Sequence, residues 1–259
     1  MVYVAIGLVM YFAQNRFTFA PGIAAMHAPE AFPETRFAEV SLQTKDGATL
    51  KGLRTEPIKP SAPNIVFFGG NAQNLQKFAL FLEQTFPQTN LVGINYRGYG
   101  NSEGSPTKRH LMLDVHPIAN WVRANMPNTP TYALGLSIGT GPATKYAALA
   151  NTAGLLLIMP YDDLAKVGAD AYPWLPVKWL FENNIRTTDF MEKYSNPVGI
   201  IIAEDDTLIH PERSEALAKH AKNLISLKTI PGKTHSSMIG SAELQNWLKD
   251  SFSRCQNKS

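Results

Sequence analysis

Thr131-Tyr132-Ala133-Leu134-Gly135-Leu136-Ser137-Ile138-Gly139 is the stretch whose reading decides the fold. An apolar run leads into Gly135-Leu136-Ser137-Ile138-Gly139, and a helix-forming run, Ala143 to Ala150, follows it. A strand that turns sharply into a helix needs small residues on both sides of the turn, so that the backbone can take a strained conformation while the hydroxyl stays exposed. That context marks Ser137 as a candidate nucleophile on a strand-turn-helix elbow. The motif alone is weak. It gains weight because acidic and histidine candidates follow it in the order nucleophile, acid, histidine.

The acid candidate comes from Pro197-Val198-Gly199-Ile200-Ile201-Ile202-Ala203, a buried-strand pattern that ends at once in Glu204-Asp205-Asp206. Asp206 has the best spacing from the strand end, with Asp205 and Glu204 as competitors. The plainer reading is a set of solvated turn carboxylates capping the next helix, Glu212 to Lys222. Six histidines compete for the base. His110, His116 and His220 lie in helical stretches, His27 precedes the domain proper, and His210 sits too close to Asp206 for a separate loop. His235 follows a further strand, Leu224 to Ile230, and a Pro231-Gly232-Lys233-Thr234 turn. An imidazole there can take a serine proton if a buried carboxylate holds its other nitrogen.

A fourth component is read from Ile65-Val66-Phe67-Phe68 followed by Gly69-Gly70-Asn71-Ala72. Small residues after a strand let backbone amides face a substrate oxygen. Asn71 and the residue after the serine, Ile138, are the candidate donors of an oxyanion hole. An ordinary strand-to-helix turn with an Asn cap is the alternative.

These residues resemble the α/β-hydrolase-fold serine hydrolases, in particular the membrane-anchored branch that includes eukaryotic protein depalmitoylases and uncharacterised bacterial members. The stretches that carry the resemblance are Gly70-Asn71-Ala72, Asn95-Tyr96-Arg97-Gly98-Tyr99-Gly100-Asn101-Ser102-Glu103-Gly104, Gly135 to Ala143, Asp206-Thr207-Leu208-Ile209 and Gly232-Lys233-Thr234-His235. The resemblance implies a mostly parallel, eight-stranded sheet with a triad of Ser137, Asp206 and His235 and amide donors at Asn71 and Ile138. Gly69 and Ala203 depart from the family pattern, which usually has a histidine and a glycine there.

The order of elements agrees with that fold class. Strand-like and helix-like stretches alternate: Ala38 to Thr44, Thr49 to Glu56, Asn64 to Phe68, a helix near Leu75 to Thr85, Asn90 to Asn95, and one helix over Lys108 to Asn125. The elbow strand, its helix and Ala153 to Met159 follow. Such alternation predicts an α/β fold, a mostly parallel sheet with helices on both faces. At 259 residues and 44% apolar content, one domain over 21–259 is the economical reading, with residues 1–20 as a separate hydrophobic helix. Pro160 to Tyr194 interrupts the rhythm. It reads as a small cap insertion, and Tyr161, Trp174 and Trp179 in it are expected to line an acyl pocket. Packing of those aromatics onto the core is the competing reading.

The formal charge of +3 comes from scattered Lys and Arg, which leaves no footprint for nucleic acid. Cys255 is the one cysteine, so no intrachain disulfide can form, and no zinc or iron-sulfur spacing appears. No metal or organic cofactor is called for. Val2 to Ala13 is an unbroken apolar run, shorter than the roughly 20 residues that span a bilayer and without a signal peptide's basic start. An uncleaved membrane anchor, an interfacial helix and a helix packed on the domain are the three readings, and the resemblance favours the anchor. Residues 1–20 are then expected to contribute little to the chemistry, so that a chain starting near Gly22 stays folded and active.

Together these readings predict hydrolysis of carboxylic esters or thioesters of apolar acyl groups, on a small-molecule, lipid-like or acylated-protein substrate. A serine peptidase of the same fold and a non-catalytic membrane-tethered module are the alternatives. Dehalogenase chemistry would call for an aspartate where Ser137 stands.

Overall fold

In the computed structural model the described residues are 18–27, 36–174 and 184–258. Eight strands form one sheet: β1 (Phe37–Gln43), β2 (Thr49–Thr55), β3 (Asn64–Phe68), β4 (Asn90–Ile94), β5 (Thr131–Leu136), β6 (Gly154–Ile158), β7 (Val198–Ala203) and β8 (Leu224–Ile230). Their order across the sheet is β1-β2-β4-β3-β5-β6-β7-β8. The first two pairings are antiparallel and the remaining five are parallel. The expected α/β-hydrolase architecture is therefore present.

The described helices are α1 (Pro21–Met26), α2 (Leu75–Thr85), α3 (Lys108–Leu113), α4 (Val115–Asn125), α5 (Thr140–Ala150), α6 (Leu164–Ala171), α7 (Thr188–Met191), α8 (Pro211–Ala218), α9 (His235–Met238) and α10 (Ala242–Gln256). The central strands are buried at every position of β3, β4, β6 and β7. A parallel strand covered on both faces is apolar along most of its length, because side chains alternate between the two; the buried Asn64 and Asn90 that open β3 and β4 hydrogen-bond each other at 3.2 Å. In β3, Ile65 and Phe67 join a core with Phe78 and Leu82 of α2 and Trp247 and Phe252 of α10. Val66 and Phe68 join a second core on the other face, with Ile118 of α4, Tyr146 of α5 and Leu217 of α8.

One expected element differs. The single helix read over Lys108 to Asn125 is two helices that meet at Asp114. Pro117 has no amide hydrogen for the carbonyl of Leu113, and its ring crowds that carbonyl, so the first helix ends there. The break frees the Asp114 carboxylate to face the buried Arg97. Arg97 donates from Nε and Nη2 to the two Asp114 oxygens at 2.9 and 2.7 Å. Its outer edge meets the exposed Asp46 of the β1–β2 turn at 2.7 and 2.8 Å. These partners hold the guanidinium pKa above its ordinary value, the Asp114 hydrogen bond being the larger cause.

This ion triad ties the loop after β4 to the α3–α4 junction and to the antiparallel hairpin. Arg97→Ala leaves the enclosed Asp114 without its partner, and breaking a buried pair in this way costs about 3–5 kcal/mol. Asp46→Ala removes only a solvent-facing partner and is expected to change stability far less. Urea denaturation of the two variants beside the parent checks the order; equal losses would show that the buried half of the triad carries no special weight.

Candidate active site

The parallel register sets the site. Phe68 of β3 lies opposite Gly135 of β5, so the loop after β3 and the turn after β5 leave the sheet at the same level. The sheet order also reverses here, since β4 lies on one side of β3 and β5 on the other. Such a switch point opens a crevice at the carboxyl ends of the strands.

β5 runs into a single 3₁₀ turn, Ser137–Gly139, and then into α5. Ser137 sits at φ 53°, a left-handed conformation that costs a non-glycine residue free energy and persists only where surroundings impose it. Two glycines show what imposes it. A Cβ on Gly135 would lie 2.7 Å from the Cβ of Ala143, and one on Gly139 would lie 2.3 Å from the Phe68 carbonyl oxygen and 2.5 Å from that of Gly69. The elbow is therefore pressed against the backbone of the loop that follows β3. The Thr140 hydroxyl donates to the Ser137 carbonyl at 2.7 Å and closes the turn.

Asp206 and His235 come from the next two sheet connections. β7 and β8 end side by side, with Ala203 opposite Ile230. Beyond them the Asp205 amide donates to the Lys233 carbonyl at 2.9 Å, and the Gly232 amide donates to the Glu204 carboxylate at 3.1 Å. Those two acidic residues are exposed, whereas Asp206 is buried at 3%. One Asp206 oxygen accepts from the amides of Leu208 and Ile209, both at 2.9 Å. The other lies 2.7 Å from Nδ1 of His235. A carboxylate oxygen accepts, so Nδ1 donates and Nε2 is left as an acceptor. His235 opens α9, whose Thr234 cap and Ser237 exchange reciprocal hydrogen bonds.

Ser137 and His235 face one cavity of about 450 Å³, which also takes in Gly70 and Asn71. Its apolar walls are Phe78 and Phe81 of α2, Leu136, Leu208 and Ile239. Among the described residues its lining includes Lys77 and two histidines, His27 and His235, and no carboxylate. These walls correct the expected pocket. Tyr161 is fully buried, in an apolar cluster with Ile138, and its hydroxyl donates to the Ile138 carbonyl at 3.3 Å, so it packs beneath the elbow. Trp174 is 54% exposed and does not border the cavity. Trp179 lies outside the described residues. Aromatic content in the insertion points to a pocket, but among the described residues the aromatic walls come from α2, a helix that reads as ordinary core.

The loop Gly69 to Ala72 is held by side chains that the sequence singled out only as part of a motif. Tyr96 donates to the Gly69 carbonyl at 2.7 Å. Tyr99 donates to Oδ1 of Asn71 at 2.6 Å. Removal from water pushes the Tyr99 hydroxyl up to about 12 and the Tyr96 hydroxyl well above its ordinary value, so both stay protonated near neutral pH and can donate.

The N-terminal segment enters the site too. Phe19 is 5% exposed within the apolar cluster of Ile138 and Tyr161, and the Ala20 amide donates to Oδ1 of Asn71 at 2.8 Å. A chain starting near Gly22 would lose both contacts, so Phe19 and Ala20 do not stand apart from the site. The run Val2 to Ala13 lies outside the described residues. Among the described residues no helix is long and apolar enough to cross a membrane.

Comparison with known proteins agrees with the fold. Residues 63–181 match the family described as alpha/beta hydrolase fold. An uncharacterised protein of Mycobacterium tuberculosis is 27% identical over 240 residues, 90% of this chain and 85% of its own length. A lysophosphatidylserine lipase of Danio rerio is 27% identical over 221 residues, 73% of this chain and 58% of its own. Among solved structures, an esterase of Pyrococcus furiosus is similar with a TM-score of 0.72 at 18% identity, over 88% of this chain and 95% of that one.

Proposed function

This chain is an α/β-hydrolase-fold protein, and from that premise we propose that it is a serine hydrolase cleaving carboxylic esters or thioesters of apolar acyl groups. The observation that carries the reading is the Asp206–His235 hydrogen bond, 2.7 Å long with its carboxylate 1% exposed, beside a cavity shared by His235 and a left-handed Ser137. Asp206 is spent on orienting the ring, since its second oxygen is taken by two backbone amides. The esterase and lipase relatives support the same class.

In this reading Ser137 Oγ attacks the acyl carbon while Nε2 of His235 takes its proton. The carbonyl oxygen gains negative charge and receives the amides of Asn71 and Ile138. His235 then gives its proton to the departing alcohol or thiol, which leaves an ester on Ser137. A water enters and attacks the acyl carbon as it loses a proton to the same histidine; the bond to Ser137 Oγ breaks, the histidine returns the proton to that oxygen, and the acid leaves. The acyl group lies along Phe78, Phe81 and Ile239. The absence of any carboxylate among the described lining residues favours acyl substrates over a peptide with a free amine, which would need a counter-charge.

Four single variants and one double variant test the chemistry. Ser137→Ala and His235→Ala should each lower kcat by about 10⁴ or more, and the double variant should be hardly worse, because members of one proton relay are not additive. Asp206→Asn should be severe and Asp205→Asn mild. Retained hydrolysis, or retained fluorophosphonate labelling, in Ser137→Ala would sink the proposal.

A chain-length series of p-nitrophenyl esters tests the pocket. Phe81→Ala should shift the optimum toward longer acyl groups, while Trp174→Ala should leave it in place. The opposite pattern would return the pocket to the insertion.

The reading also includes attachment to a membrane through the apolar run Val2 to Ala13, which suits a lipid-like or acylated-protein substrate. Full-length protein is expected in the pellet after a carbonate wash of membranes. Recovery in the supernatant would remove the tether from the proposal.

A further inference from the structure

Residues 18–27 contact the loop that follows β3 and join the apolar cluster that holds Ile138. Phe19 is buried in the cluster that contains Ile138 and Tyr99. The Ala20 amide donates to Asn71 Oδ1 at 2.8 Å and lies 3.0 Å from the Tyr99 hydroxyl, which itself donates to the same Asn71 oxygen. Nδ1 of His27 is 3.3 Å from the carbonyl of Ala72. An amide oxygen receiving two donors is fixed in orientation, because a backbone N–H can only give. The Asn71 side chain is thereby clamped from both sides. Pro21 opens α1 immediately after Ala20, and its ring disfavours the helical region for the residue before it; Ala20, at φ −129° and ψ 58°, lies outside that region.

We propose that residues 18–27 are a positioning element of the oxyanion hole: they set the Asn71 loop and its partner Ile138 into register, so that attachment of the N-terminal segment and hydrolytic competence are coupled. The inference rests on the assignment of Asn71 and Ile138 as amide donors. It adds to that assignment a second group of residues, Phe19, Ala20 and Tyr99, that never touch substrate and act through Asn71. The physical ground is that a preorganised donor stabilises charge only at the place where charge develops. A loop free to shift loses that benefit while leaving ground-state binding in the apolar cavity unchanged.

The test uses the full-length chain with Phe19→Ala, Tyr99→Phe and their combination. Hydrogen exchange is read at amides 69–73 and 18–27, and kcat and KM are read on a short-chain ester. Exchange at 69–73 should rise in Phe19→Ala, and exchange at 18–27 should rise in Tyr99→Phe, because coupling between two sites is reciprocal. Each single variant should lower kcat about 10-fold with KM unchanged, a fraction of what loss of a whole donor costs. The double variant should fall well short of the product of the two, the mark of residues acting through one group. Unchanged exchange at both segments, or losses confined to KM or to the thermal midpoint, would overturn the proposal. Tyr99→Phe keeps the ring in its cluster and decides the question if Phe19→Ala fails to fold. If Ser137→Ala still hydrolyses the ester, the serine-hydrolase reading falls, and the exchange arm alone still decides whether the two segments are coupled.

Discussion

The absence of side-chain volume at Gly139 is the constraint on which the rest of this structure depends. With the Phe68 and Gly69 carbonyl oxygens 2.3 and 2.5 Å from where a Cβ would sit, the elbow and the loop after β3 form one packed unit. Neither can shift without the other, since a close-packed interior transmits displacement rather than absorbing it. That unit brings Ser137, Gly70 and Asn71 to one cavity. The histidine and its carboxylate arrive separately, on connections tied to each other by backbone hydrogen bonds. The site is thus an assembly of two rigid halves that meet across the cavity.

The stretch from Asn95 to Gly104 serves both halves of the molecule without bordering Ser137. Arg97 reaches down to Asp114 and Asp46, while Tyr96 and Tyr99 reach across to the loop after β3. The two rings meet edge to face, with centroids 5.7 Å apart, a favoured arrangement for aromatic pairs. One segment therefore links the stability of the hairpin side of the sheet to the placement of the Asn71 loop. A substitution here would be felt at a distance from both.

Much of this was legible in the sequence because the fold places its chemistry at strand ends, and strand ends are what apolar runs and glycines mark. Ser137, Asp206 and His235 are the candidates read that way; Asp206 and His235 are hydrogen-bonded, and His235 shares a cavity with Ser137. Asp206 stood among three adjacent acids, and only the curl of the chain past Ala203, which turns one of them inward, separates it from its neighbours. The pocket walls left no such mark. Phe78 and Phe81 lie on a helix whose apolar spacing is that of any core helix, whereas Tyr161 and Trp174 advertised a pocket through aromaticity, a property shared by buried and lining residues alike. The pairing of Arg97 with Asp114 depends on a helix break at Pro117 and on sheet order, neither of which a linear reading connects. Phe19 falls within the residues 1–20 read as a hydrophobic helix, because hydrophobicity cannot distinguish a residue facing lipid from one facing the protein's own core.

Phe78 occupies two roles at once. Its ring is 1% exposed and stands edge-on to Phe67 of the central strand, 5.7 Å between centroids, yet it also borders the cavity. Phe81, stacked on it at 6.2 Å, is only partly buried. Divergence of substrate range within this architecture therefore has unequal routes. A change at position 81 can reshape the cavity while the interior stays filled, but a change at position 78 must be matched by compensating volume around Phe67. Selection acting on acyl preference would meet little resistance at one position and strong resistance at the other, so new specificities are expected to be written at 81 long before 78.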